Sequence, residues 1–135
     1  MNDRKVKWLI YTVLVGLIPI IARAFVYGVS KSPQFPLFNS PDFVAFGLIL
    51  HISNINEIEH IDELDRNWKT IQNGVSVLFI ASYGVLFALS VLANQNPGLL
   101  NAETLRGSVM VLCGVSFLLS YSIYQRVSCN LKSGA

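Results

Sequence analysis

Residues 51–60 read HISNINEIEH, and they follow directly on the apolar run FVAFGLIL at 43–50. The run decides whether the chain is a plain anchor or has a polar interior. The residues upstream set where its helix starts. Ser40 is placed to cap a helix, Pro41 suits its first turn, and Asp42 sits near its positive end. Counted from Pro41 at about 1.5 Å per residue, such a helix needs about 20 residues to cross about 30 Å of hydrocarbon, so it leaves the membrane near His60. On that count His51 lies near the midplane, Ser53, Asn54 and Asn56 lie in the inner half, and Glu57, Glu59 and His60 reach the interface. Polar side chains at these depths are costly against lipid and are expected to face the bundle or a wet cavity.

The rest of the chain agrees with a membrane setting. It has 135 residues, 53% hydrophobic and 13% charged, with a mean hydropathy of +0.51. Soluble domains carry about 25% charged residues, so roughly half of that charge is missing. Three further runs are long enough to span: WLIYTVLVGLIPIIARAFVYGV (8–29), VSVLFIASYGVLFALSVLA (75–93) and LRGSVMVLCGVSFLLSYSIY (105–124). The first follows a basic start, but it is longer than a secretory signal core and contains Arg23, so it reads as a retained span. The expected fold is an all-α integral membrane protein, one domain over 1–135, with spans at about 6–29, 41–60, 75–94 and 104–125.

Charge sets the expected orientation. With four spans, Arg4, Lys5, Lys7, Arg66, Lys69, Arg126 and Lys132 share one side, while Lys31 and Arg106 lie on the other. Short loops rich in Lys and Arg stay in the cytoplasm, which places both termini there. Residues 57–72 read as a cytoplasmic helical extension between spans 2 and 3. Ile61, Leu64, Trp68 and Ile71 form its apolar stripe, and Asn73-Gly74 is expected to end it. Pro19 is expected to disturb the first span. Asn101 is expected to cap the fourth.

Three groups of residues could carry function. His51, with Ser53, Asn54 and Asn56, could line a pore or relay protons, or could bond helix to helix. Arg23 could snorkel to the surface or pair with Asp42 in the outer leaflet. The acidic stretch EIEHIDELD supplies Glu57, Glu59, Asp62, Glu63 and Asp65, and with Leu64 and Trp68 as apolar anchors it could dock a basic cytosolic protein. Gly84-xxx-Ala88 on span 3 and Gly107 and Gly114 on span 4 are small-residue faces that permit close helix approach, including between copies of the chain. Ser116 and Ser120 are counted with that second face.

Several classes of function find no support in the residues. There is no phosphate-binding glycine loop, no HExxH, no nucleophile elbow and no Cys-His pair with a supporting acid, so no enzyme chemistry is expected. Cys113 and Cys129 are too far apart on one helix to bridge, and no metal site or cofactor is implied. No basic patch offers a surface for nucleic acid. The expected partners are lipid, further copies of the chain and a cytosolic protein. A scaffold or sensor is the leading reading, and an oligomeric pore is the rival.

In size and layout the chain, through HISNINEIEHIDELDRNW (51–68), resembles small four-span membrane components of bacterial anti-phage defence operons, such as the membrane subunit of the Kiwa system. The resemblance is one of topology. It implies an inner-membrane oligomer that senses phage-induced membrane disturbance and docks a cytosolic effector. The gross features are also similar to those of phage holins.

Overall fold

A computed structural model describes residues 7–32, 34, 36–60 and 65–133. Helix α1 covers Val15–Val29 and is preceded by a π-helical stretch, Leu9–Leu14. Helix α2 covers Ser40–Glu59, α3 covers Arg66–Gln95 and α4 covers Ala102–Ser133. The stretches Ile10–Val29, Arg66–Gln95 and Ala102–Cys129 are long and apolar enough to cross a membrane. Helix α2, also about 30 Å long at 20 residues, falls below that threshold because its second half is polar.

The helix below that threshold is the central one. Helix α2 packs against α1, α3 and α4, whereas α3 and α4 touch each other along a smaller seam. Its buried residues include Val44, Gly47, His51, Asn54 and Ile58, spaced three and four apart, so they form one stripe. The spacing explains the sequence puzzle: His51 and Asn54 sit at core positions and never meet lipid. Phe46 and Leu50 lie beside that stripe and pack with Cys113, Val13, Leu17 and Phe117. The outward faces of the other helices are apolar, with Ile18, Ile21, Phe25, Leu78, Val85, Val111 and Leu118 all exposed. A surface of this kind suits hydrocarbon.

Two glycines bring the helices close. A Cβ on Gly47 would overlap the ring of Tyr83, and one on Gly16 would stand 2.7 Å from Cδ2 of Phe46. The glycines expected to do this are elsewhere. Among the described residues, Gly84, Gly107 and Gly114 have nothing within 4 Å of an added Cβ, and together with Ala88 they lie on the exposed outer surface. Small-residue packing inside the chain is therefore carried by Gly16 and Gly47.

Local signals are partly as expected. Asn101 caps α4, its Oδ1 accepting from the backbone N–H of Glu103 (3.1 Å) and Thr104 (3.2 Å). Asn39, rather than Ser40, is the N-cap of α2, without a side-chain hydrogen bond, and Pro41 lies in the first turn. The irregularity of the first span is the π-helical stretch, which closes five residues before Pro19. Asn73-Gly74 ends no helix. Helix α3 runs through it, and Gly74 has no positive φ. The start of the expected cytoplasmic extension is thus the end of α2, and its finish is the first turns of α3. Asp65 caps α3, accepting from the N–H of Asn67 at 3.0 Å.

Candidate functional site: a polar seam along the second helix

The seam begins at His51. Its Nε2 lies 2.9 Å from Oγ of Ser116, which lies 2.7 Å from the hydroxyl of Tyr83. Three helices meet in this triad, since Tyr83 belongs to α3 and Ser116 to α4. The His51 ring also stacks on Phe79, with centroids 4.7 Å apart. All three polar residues are sealed, at 1%, 0% and 0% exposure for His51, Ser116 and Tyr83. The Nδ1 of His51 has no hydrogen-bond partner among the described residues. A neutral imidazole carries one donor and one acceptor. With the proton on Nε2, His51 donates to Ser116, Ser116 donates to Tyr83, and the Tyr83 O–H and the Nδ1 lone pair are left over. With the proton on Nδ1, Tyr83 donates to Ser116 and Ser116 to Nε2, and the N–H at Nδ1 is the donor left over.

One turn further along, Asn54 Nδ2 donates to Oγ of Ser120 at 2.9 Å. On the opposite side of α2, Ser53 Oγ lies 3.0 Å from Oγ1 of Thr12, which ties in the N-terminal end of the first span. The seam therefore bonds α2 directly to α4 and to the first span, and α3 joins it through the Tyr83–Ser116 bond. Each interhelical hydrogen bond of this sort contributes roughly 0.6 to 2 kcal/mol in a membrane, where lipid offers no polar alternative. Asn56 is exposed and belongs to no part of this network.

The two ends of the seam differ. At one, Arg23 of α1 donates from Nε to Oδ2 of Asp42 in the first turn of α2, the pairing expected from their shared depth. At the other, Ile58, Ile123 and Val127 form a small apolar cluster against Trp68, and the Arg126 guanidinium lies 4.6 Å above the Trp68 ring. Trp68 is thus half-buried against the bundle. Glu59 is exposed and accepts from Nδ2 of Asn73 at 3.2 Å. Asp65 is exposed and acts as a cap, and Glu57 is half-buried. Asp62, Glu63 and Leu64, expected to join them in docking, lie outside the described residues.

Sequence reasoning singled out His51 and Asn54 but missed Tyr83 and Thr12. It also grouped Ser116 and Ser120 with the wrong neighbours. The available signal was the run Ser116, Ser120, Tyr124, Ser128, four residues apart in an apolar helix. Such a run places one polar group per turn on a single face, matched here to a polar stripe on α2.

Compared with known proteins, the chain matches no family model, and neither a curated protein nor a solved structure resembles it.

Proposed function

We propose that the chain is a four-span scaffold or sensor of the bacterial inner membrane that acts as an oligomer and signals to a cytosolic protein. In this reading α2 is the fourth crossing, carried inside a sleeve of three apolar helices. Both termini and the 60–65 connection face the cytoplasm, as the distribution of Lys and Arg favours. The resemblance to membrane subunits of anti-phage defence systems fits the same arrangement, with a membrane disturbance as the stimulus.

The observation that carries the reading is the overhang of α3 and α4. At 30 and 32 residues they are about 45 and 48 Å long, against about 30 Å of hydrocarbon. The excess falls at one end, where RNWKTIQNG opens α3 and QRVSCNLKS closes α4. There Trp68, Ile58, Ile123 and Val127 give the projecting turns a core of their own. A post held stiff beyond the membrane, with Glu59, Asp65, Arg66 and Arg126 exposed on it, suits docking better than a plain anchor does. The pore reading loses weight for a single chain, because His51 and Asn54 are buried and bonded within it.

Two experiments separate these readings. A photo-crosslinking amino acid at position 66 should trap a cytosolic protein in cells, and Lys at Glu59, Asp62 and Asp65 together should abolish that adduct while oligomers persist. An adduct that survives the triple reversal would remove the docking surface. In liposomes the purified protein should pass neither protons nor ions. Flux that disappears with His51→Leu would instead make the polar helix a conduction path.

A further inference from the structure

The end of the bundle opposite the Trp68 cluster contains a cavity of about 170 Å³, where the start of α2, the end of α3 and the start of α4 converge. Arg106 and Glu103 line it from α4, Asn94 from α3 and Asn39 from the cap of α2, with Phe38 and Leu105 as apolar wall. Its depth is fixed by the sequence. The apolar run of α3 closes at Ala93, immediately before Asn94, and that of α4 becomes continuous only after Arg106. The cavity therefore lies at the polar boundary of the hydrophobic belt, where lipid headgroups would be.

Its charges are unspent. Arg106 is half-buried and makes no ion pair or hydrogen bond among the described residues. Glu103 stands one turn away on the same helix, and its carboxylate is likewise without a partner. The other arginine at this end, Arg23, is already held by Asp42. A guanidinium and a carboxylate within one small cavity, separated rather than paired, call for a ligand with a negative and a positive group a few atoms apart. The side-chain amides of Asn39 and Asn94 add neutral donors suited to phosphate oxygens.

We propose that this cavity binds a phosphoethanolamine headgroup of a membrane lipid, with the phosphate on Arg106 and the ammonium on Glu103. The headgroup, rather than a free phosphoamine, is the source the position favours, since the cavity lies at the boundary of the apolar belt and Phe38 and Leu105 form part of its wall. The site depends on this end lying in the headgroup layer, and not on any docking at the opposite end.

Native mass spectrometry of the full chain tests it, after incubation with equal amounts of phosphatidylethanolamine and phosphatidylglycerol. The wild type should retain mainly phosphatidylethanolamine. Arg106→Gln should lower its retention about tenfold, the loss of one charge-assisted contact. Glu103→Gln should reverse the preference toward phosphatidylglycerol, a change of selectivity that misfolding cannot imitate. Equal retention of the two lipids by the wild type, or an unchanged preference in Glu103→Gln, overturns the site. So does delipidated protein that binds soluble O-phosphoethanolamine as tightly as the lipid, because the ligand would then be a free phosphoamine. Neither result bears on crosslinking at position 66, so the docking proposal stands or falls separately.

Discussion

Gly47 and Gly84 are both glycines in apolar helices, and their surroundings make opposite predictions. Gly47 faces Tyr83, which is fully buried and held at its hydroxyl by Ser116, so the ring cannot swing aside to admit a methyl group. Gly47→Ala should destabilise the fold by about 1–3 kcal/mol, the range for an overpacked core, as measured by unfolding in mixed micelles. Gly84→Ala, with nothing near its Cβ, should stay within about 0.5 kcal/mol. Similar losses at the two positions would mean that α2 and α3 do not approach as described. The sequence alone ranked these residues the other way round, since Gly84-xxx-Ala88 has the recognisable spacing and Gly47 stands alone. Spacing identifies a small face, but which helix lies against it is a tertiary fact. At about 100° per residue, Ser116 and Ser120 stand roughly half a turn around α4 from Gly107 and Gly114, and the structure buries the serines while leaving the glycines exposed. His51 and Asn54 were legible because their cost in lipid demanded an interior partner. Tyr83 was not, because a tyrosine in an apolar run is equally at home on the outside.

At the scale of elements, the four helices and the Asn101 cap were readable from periodicity, length and capping chemistry, while the division of 57–72 was not. Asn73-Gly74 has the composition of a helix stop. Yet a glycine within a helix costs only about 1 kcal/mol relative to alanine, and packing of α3 along α2 outweighs it. The same packing sets the standing of α2. Its inward stripe carries His51 and Asn54, whose transfer into lipid is unfavourable for an isolated helix. In a membrane-insertion assay with a host protein, the segment 40–59 by itself should integrate poorly, whereas 75–93 should integrate efficiently. Leu at both His51 and Asn54 should raise insertion of the isolated segment and at the same time remove two bonds from the folded chain. Efficient insertion of the native segment would show that α2 needs no sleeve. That would also remove the physical reason for its central place.

For the molecule as a whole, the decisive question is which face of the membrane the overhang occupies. The chain carries its own reporters. Trp8 stacks on Tyr124 with ring centroids 5.0 Å apart, so the start of the first span and the end of the apolar run of α4 lie at one level. Cys129 lies exposed on the α4 overhang, past that level, and Cys113 is buried against Phe46 and Leu50. A membrane-impermeant maleimide should therefore label Cys129 only after the cells are permeabilised, and Cys113 under neither condition. Labelling of Cys129 in intact cells would turn the molecule over. The Trp68 post would then stand outside the cytoplasm, cytosolic docking would be physically impossible, and the Arg106 cavity would face the inner leaflet. Labelling of Cys113 would signal a bundle that opens, and with it a route past His51. Protection of Cys129 until permeabilisation, together with a silent Cys113, leaves a closed bundle with its projecting helices in the cytoplasm, the one arrangement in which a scaffold can reach a soluble partner.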